Sequence, residues 1–490
     1  MALVAGSDDV RQARRSREAR RSREARRSRE PRTPRQSRQD GQDGQDGQDG
    51  QAGRPSWLRL GVRQAGPLAI AGLVANGGSV VVTVVLARLL IAPDYGALNQ
   101  LIGVFFVVST PGSAVLVAVV RRVTRWPGPL DAVGEWGARL HRRGIGALAV
   151  FGGAVVASGP GLAGLLGRHD AAGIDLIAVA GGVWVLLCVD RGLLQAHREY
   201  GALSANLLME GGLRTAAMLL FAGAGLGVDG VAAGVLLAEV GTAAPVRVLA
   251  DRAWRVGDPA PWSAVAAARS WLGAWRRSAG RLATLQGLRR DLIAAAIALA
   301  MIALLQYVDV IVMGRAAPRI AGAYAAVSVS CKALVFVSLV VAGYLLPEAA
   351  ISSRDGGHAL RQLGVALALV AAPALVLIGV AVAVPRPFLS TFFSARYVSA
   401  AGAFLPLALA MLCLSITVLL TMYLLGVGDR RFAAVLVVAA AGAIVAVVLA
   451  HGEPRTTALA DLCVQGALLV AASGELARVH RHRQERGARP

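Results

Sequence analysis

The apolar residues of this 490-residue chain are gathered into long blocks. Each block runs for about 18 to 25 residues with few charges, which is the length a helix needs to cross roughly 30 Å of hydrocarbon. A soluble protein of this size would instead spread its apolar residues over short amphipathic stretches. With 55% hydrophobic residues and a mean hydropathy of +0.56, the sequence predicts an all-α polytopic membrane protein with about twelve transmembrane helices.

The blocks also predict how the chain is divided. The predicted spans are 66–89, 97–120, 144–166, 173–189, 202–226, 229–249, 291–313, 320–347, 361–384, 400–425, 432–450 and 457–477. We expect a disordered cytoplasmic tail, an N-terminal six-helix lobe, a cytoplasmic interfacial linker, a C-terminal six-helix lobe and a basic cytoplasmic tail; these are 1–64, 65–249, 250–290, 291–478 and 479–490. The first tail repeats ARRSRE and QDG, a composition that buries too little apolar surface to order itself. The linker carries tryptophans among arginines, as interfacial helices do.

The net charge of +21 is distributed in a way that argues against nucleic-acid binding. Its arginines lie in tails and loops between apolar blocks, a pattern that reflects membrane orientation and contact with anionic lipid headgroups. With both termini in the cytoplasm, and the long tail left out, the cytoplasmic side holds 25 arginines and lysines and the external side holds seven. We therefore expect a multi-pass protein of the bacterial cytoplasmic membrane.

Two landmarks recur at matched positions of the chain. The turn after the first span carries Arg88, Pro93 and Tyr95, and the turn after the seventh carries Arg315 and Pro318. A second landmark follows the fourth span and returns after the tenth; the two offsets are 227 and 231 residues. Because both halves start in the cytoplasm, the sequence predicts two six-helix lobes related by a parallel pseudo-two-fold repeat. Transporters with this plan place the substrate path between the lobes.

The same landmarks carry a family resemblance. The motif RLL, then Pro93, then Tyr95-Gly96, resembles the turn after the first helix of the polysaccharide flippases. These belong to the superfamily that also holds the multidrug exporters and the lipid II flippases. Asp309 and Lys332 resemble positions of its seventh and eighth helices, and the resemblance spans about 65–450. It implies flipping of an undecaprenyl-diphosphate-linked oligosaccharide by alternating access, with polysaccharide assembly machinery as a partner.

Charged residues inside the predicted spans are the candidate site residues. A charge at the bilayer centre costs roughly 2.5–3.5 kcal/mol on insertion scales, so it usually faces a partner or a water-filled cavity. Arg214 and Lys332 each lie about 18 Å from one membrane surface, one in each half, and therefore near the midplane. We expect both, together with Arg88 and Arg247, to line the inter-lobe cavity and bind a diphosphate, which suits the planar donor fork of arginine. Arg88 and Arg247 lie near span ends and could instead extend to headgroups.

Local pairing is an alternative reading of the same charges. Glu210 and Arg214 are spaced i, i+4 on one helix, and Asp309 and Lys332 could pair between adjacent helices. Glu239 and Asp309 are also candidates for a coupling cation or proton, because a carboxylate in a low-dielectric cavity changes its protonation readily.

The sequence offers no sign of a metal or cofactor. Its cysteines fall in apolar blocks without a CxxC pair and are expected to be small buried hydrophobes; they are Cys188, Cys331, Cys413 and Cys463. Its histidines lie in loops or tails, without the spacing of zinc ligands.

Four functions compete on these observations. The first is a flippase of lipid-linked oligosaccharide, and the second is a cation-coupled multidrug exporter, which would favour an acidic cavity. The third is a membrane-embedded glycan polymerase or ligase, but the longest external connection is only about 385–399, and the sequence shows no phosphate-binding loop or Ser/His/Asp set in a plausible context. We therefore expect no enzyme. The fourth is a structural partner in polysaccharide assembly.

Overall fold

A computed structural model describes residues 56–124, 126, 131–254, 286–352, 358–427 and 431–487. The predictions for the tail before residue 56 and for linker residues 255–285 lie outside this part of the chain. The N-terminal half contains α1 (Ser56–Leu89), α2 (Ala92–Ser109), α3 (Pro111–Thr124), α4 (Asp131–Leu166), α5 (Ala172–Ala196), α6 (Tyr200–Gly223) and α7 (Gly227–Ala253). The C-terminal half contains α8 (Gln286–Ala316), α9 (Pro318–Ser352), α10 (His358–Ala383), α11 (Pro385–Phe392), a 3-10 helix (Ala395–Ala403), α12 (Phe404–Val427), α13 (Phe432–Leu449) and α14 (Pro454–Gly487).

Ten of the twelve predicted spans fall on a single helix each, the second falls on α2 and α3, and the tenth falls on the 3-10 helix and α12. Within the described residues, ten helical segments are long and apolar enough to cross a membrane. The other two spans lie on α1, whose apolar part Gly77–Leu89 is shorter, and on α6, which carries Glu210 and Arg214. The prediction of an all-α polytopic membrane protein is therefore confirmed.

The second span is broken in the middle. Helix α2 ends at Ser109, and α3 begins at Pro111. Proline has no N–H to donate to the preceding turn, and its ring clashes with the carbonyl four residues earlier. The two helices together form one crossing segment, Ala92–Thr124.

The lobes meet along α2. Within the N-terminal lobe α5 packs on α7, and within the C-terminal lobe α9 packs on α12. Helix α2 packs on α5 of its own lobe and also on α8 and α9 of the other lobe. We call this boundary between α2 and the pair α8 and α9 the seam.

The seam is tightest where the repeated landmarks come together. A Cβ atom on Gly322 would lie 2.0 Å from the carbonyl oxygen of Ala92, and one on Gly96 would lie 2.7 Å from the backbone nitrogen of Gly322. Neither position has room for a side chain. The two landmarks of the repeat therefore touch each other across the seam, close to where α2 and α9 begin.

Helix α5 is longer than its predicted span, and this changes the status of its charges. The fourth span was predicted to end at residue 189, which placed Arg191 in a cytoplasmic loop. Helix α5 continues to Ala196, and Arg191 is only 2% exposed. The prediction was wrong because Asp190 and Arg191 break the apolar block, whereas the helix holds them against charged partners on its neighbours.

Candidate functional site

A pocket lies on the seam, between residues of both lobes. Its volume is about 90 Å³. Helices α1, α2, α5, α6 and α7 line it from the N-terminal lobe, and α8 and α9 line it from the C-terminal lobe. Its charged and aromatic lining residues are Arg214, Lys332, Phe105, Phe106, Tyr307 and Phe336. The pocket thus brings together two predicted site residues, one from each lobe.

The N-terminal side of the pocket presents a guanidinium held between two carboxylates. Arg214 donates from Nη2 to Glu210, one turn earlier on α6, and at 2.6 Å to Oε1 of Glu239 on α7. Its side chain is 19% exposed, and its guanidinium carbon lies 5.4 Å from the centre of the Phe105 ring. The i, i+4 pairing that the spacing allowed is therefore present, and Glu239, fully buried, is a second partner from another helix.

The C-terminal side presents an ammonium group with one carboxylate. Lys332 Nζ donates to Asp309 Oδ1 at 3.0 Å, and it lies 4.5 Å from the centre of the Tyr307 ring. The other oxygen of Asp309 accepts hydrogen bonds from the hydroxyls of Tyr324 at 3.1 Å and Ser328 at 3.0 Å. Asp309 is thus fully buried, both of its carboxylate oxygens accept hydrogen bonds, and it fixes the position of the lysine.

Aromatic rings close the pocket between the two cations. Phe106 of α2 and Tyr307 of α8 stack across the seam, with centroids 5.0 Å apart and planes 6° apart. Phe336 of α9 lies 5.8 Å from the same phenylalanine. A pocket of this kind offers π faces as well as charges, so it could hold either an organic cation or the apolar part of an anionic lipid.

Arg88 does not line this pocket. It lies at the end of α1 and donates from Nε to the carbonyl oxygen of Phe392 at 3.2 Å, and from Nη2 to that of Thr391. These carbonyls are at the C-terminus of α11, where helix carbonyls have no partner within the helix and the helix dipole favours a cation. In this conformation Arg88 therefore joins the two lobes and is not part of the pocket lining.

Other side chains make the same kind of contact in the opposite direction. Arg396 donates to the carbonyls of Ala87 and Arg88 at 3.0 and 3.1 Å, and the hydroxyl of Tyr397 donates to Ala87 at 2.6 Å. Arg315, at the end of α8, donates to the carbonyls of Gly164 and Leu165 at the end of α4. We call this group of inter-lobe contacts, with the Gly96–Gly322 approach, the sealed end.

Arg247 also lies outside the pocket. It is buried in the N-terminal lobe, where Nη1 donates to Asp190 Oδ1 at 2.9 Å and Nε donates to Asp251 Oδ2 at 3.0 Å. Asp190 also lies 2.8 Å from His141. These contacts tie α4, α5 and α7 together, so in this conformation Arg247 stabilises the packing of the N-terminal lobe.

Four buried charged residues of the described helices were not among the sequence candidates; two of them, Asp190 and Asp251, hold Arg247, and the others are Arg191 and Asp461. Arg191 lies behind Arg214, bonded to the same carboxylate, Glu210. Asp461 lies on α14, fully buried, and accepts a hydrogen bond from Gln465 at 3.2 Å. The available signal was weak, because both residues interrupt apolar blocks near a predicted span end.

Comparison with known proteins identifies the fold. No family profile matches the sequence, and no curated protein does. A multidrug resistance MATE family transporter of the MOP superfamily, in an inward-facing conformation, superposes with a TM-score of 0.59 at 10% identity, covering 84% of this chain and 99% of its own. The lipid II flippase MurJ, in an inward closed conformation, gives 0.61 at 11% identity, covering 83% and 87%.

A eukaryotic MATE transporter gives a TM-score of 0.57 at 14% identity, covering 87% of this chain and 99% of its own. These proteins have the twelve-helix, two-lobe fold. The predicted architecture is therefore confirmed, and the likeness to these proteins is one of fold.

Proposed function

We propose that this protein is a transporter that moves its cargo through the seam by alternating access, and that the cargo is a lipid-linked oligosaccharide with a diphosphate head group. The observation that carries the proposal is the pocket on the seam, to which each lobe contributes one cation, Arg214 and Lys332. A diphosphate has two phosphate groups, and one cation from each lobe could hold it only while both lobes face it. Flipping undecaprenyl-diphosphate-linked repeat units across a bacterial cytoplasmic membrane would then supply the export of a surface polysaccharide.

Movement of the lobes is part of the proposal because of the size of the pocket. A volume of about 90 Å³ is far below the roughly 300–1,000 Å³ of ordinary ligand pockets. Entry of a glycan head group therefore requires the lobes to part at one end while the sealed end stays closed. We assign the sealed end to the external face, because the charge distribution places the end of α1 there.

The two cations retain capacity for an anionic partner. Arg214 Nε has no hydrogen-bond partner in the described residues, and the Lys332 ammonium, with three donors, makes one hydrogen bond. A phosphate could replace a carboxylate on the guanidinium with similar fork geometry. Cargo binding is therefore an exchange of anions, which leaves Glu239 and Asp309 as candidates for the coupling proton or cation.

A multidrug exporter is the second candidate, and a specific observation favours it. Each cation already has a carboxylate partner, and the pocket presents the stacked rings of Phe106 and Tyr307. An organic cation could bind the ring faces and displace Arg214 or Lys332 from its carboxylate.

Binding of two probes of opposite charge separates the candidates. Farnesyl diphosphate imitates the lipid head group, and tetraphenylphosphonium imitates a drug cation; both are measured on purified protein in detergent. We expect farnesyl diphosphate to bind, and Arg214→Gln and Lys332→Gln each to weaken it roughly tenfold or more. The half-exposed Arg139→Gln is the matched control and should bind as the wild type does.

The opposite result is equally clear. Binding of tetraphenylphosphonium without farnesyl diphosphate would replace the flippase by the exporter. In cells, a deletion strain should accumulate lipid-linked glycan on the inner leaflet, and normal export in cells carrying either pocket variant would remove the site assignment.

A further inference from the structure

Arg191 stands directly behind the pocket and is buried within the N-terminal lobe. Its side chain is 3% exposed and is not part of the pocket lining. It lies on α5, donates from Nη2 to Glu210 Oε2 on α6, and donates from Nε to Asn206 Oδ1 at 2.8 Å. Both acceptors lie on α6, which thus fixes the guanidinium in place.

Glu210 is shared between two arginines. Oε2 accepts from Arg191, and Oε1 accepts from Arg214. Arg214 in turn reaches Glu239, so the four residues form one chain: Arg191, Glu210, Arg214, Glu239. Two cations balance two carboxylates, and the chain has no net charge when all four are ionised.

The balance depends on the residue farthest from the cargo. Without the charge of Arg191, both Glu210 and Glu239 would depend on Arg214 alone, and the N-terminal side of the pocket would carry a net negative charge. That field would oppose an anion and attract a cation, and it would be weakly screened in a low-dielectric setting.

We propose that Arg191 is a positioning and specificity-determining residue: it holds Glu210 from behind, so that Arg214 can exchange its carboxylate for an anionic cargo. The inference rests on the proposed transport of a diphosphate-linked lipid. It goes further by stating how a pocket with paired charges is kept selective for an anion. Arg191 does not touch the cargo itself.

Among the described residues, the cations that form an ion pair with Glu210 are Arg191 and Arg214. Helix α2 carries its only charged residue, Asp94, in its first turn. Arg247 on α7 is committed to Asp190 and Asp251. Arg191 therefore keeps Glu210 paired when Arg214 moves to the cargo.

The test compares the two probes in charge variants. In Arg191→Gln we expect farnesyl diphosphate to bind roughly tenfold more weakly and tetraphenylphosphonium to bind more tightly. Arg191→Lys, which keeps the charge, should stay close to the wild type. A purely structural role of Arg191 would weaken both probes together, so the opposite signs are the diagnostic readout.

Two further variants use Glu210. The double variant Arg191→Gln with Glu210→Gln removes one charge of each sign, restores the balance, and should recover farnesyl diphosphate binding to within about threefold of the wild type. Glu210→Gln alone leaves a net positive charge and should tighten the anion and weaken the cation. This single variant also tests the inference if Arg191→Gln does not fold.

The outcomes distinguish this inference from the proposed function. Equal shifts of both probes, or no recovery in the double variant, would overturn the role of Arg191. A wild type that binds only tetraphenylphosphonium would overturn the anionic cargo instead, while tighter cation binding by Arg191→Gln would still uphold the electrostatic role. Arg139→Gln, with the same loss of charge far from the pocket, controls for net charge.

Discussion

The close approach of Gly322 to α2 makes the sealed end sensitive to a single methyl group. In Gly322→Ala the new Cβ would lie 2.0 Å from the Ala92 carbonyl oxygen, 2.8 Å from its carbonyl carbon and 3.1 Å from its Cα. All three atoms belong to the backbone, so no side-chain rotation can relieve the clash. Atoms in contact lie roughly 3.3 Å apart. The starts of α2 and α9 must therefore move apart by more than 1 Å to accommodate a Cβ that would otherwise lie 2.0 Å from the carbonyl oxygen.

The magnitude follows from the cost of overpacking. Forcing a methyl group into a well-packed contact costs about 1–3 kcal/mol. The cost applies only while the lobes touch, because the contact does not exist once the sealed end has opened. The ratio of closed to open molecules should therefore fall roughly five- to 150-fold.

Thiol labelling measures this ratio. The four native cysteines are replaced, and Val310→Cys, a buried pocket position, is labelled with a membrane-impermeant maleimide added outside intact cells. We expect Gly322→Ala to raise the labelling rate at least fivefold. Gly212→Ala is the matched control, since a Cβ on that helical glycine would meet no atom within 4 Å.

Equal labelling of the Gly322 and Gly212 variants would refute this reasoning. It would mean either that the contact relaxes within each lobe or that the sealed end does not face outward. Adding the reagent to inverted vesicles separates these two cases.

Three further predictions rest on side chains away from the pocket. Arg247→Gln leaves buried carboxylates uncompensated and should lower the free energy of unfolding by about 3–5 kcal/mol, seen as a large drop in melting temperature, while protein that stays folded binds both probes normally. Arg396→Gln removes two inter-lobe hydrogen bonds and should increase external labelling of Val310→Cys; unchanged labelling would exclude it from the seal. Glu453 precedes α14, and hydrogen bonds from the side chain and backbone of Thr456 lower the pKa of its carboxyl from 4.5, so Glu453→Gln should cost about 0.5 kcal/mol at pH 7. Because this pKa is depressed on folding, the deficit should be full above pH 4.5 and disappear as the pH falls through the folded pKa, in melting curves recorded across that range.

The length of the apolar blocks was enough to predict the fold. A span must match the thickness of hydrocarbon, so block length alone located the ten described segments that are long and apolar enough to cross a membrane. The selection of Arg214 and Lys332 as candidates also came from counting residues along a helix, and both side chains line the pocket. Depth along the membrane normal is a local property of the sequence, which is why it could be read without the structure.

The direction in which each side chain points cannot be derived from the nearby sequence. Arg88 and Arg247 lie at predictable depths, but their partners are set by neighbouring helices and, for Arg88, by carbonyls some 300 residues later. Arg191 was assigned to a loop because its charge ended the apolar block, and only its contact with Glu210 shows that it belongs inside. Such pairings depend on how the helices rotate and pack.

The acceptors at the sealed end are carbonyl oxygens, and this affects how the protein can respond to its surroundings. Arginine stays charged at any physiological pH, and a carbonyl does not titrate. The contacts of Arg88, Arg315 and Arg396 therefore keep the same strength in acidic and neutral media, and water can take the place of either partner when they separate. These arginine contacts should therefore be indifferent to external acidity, so any dependence of the proposed transport on a proton gradient would arise from groups other than these contacts.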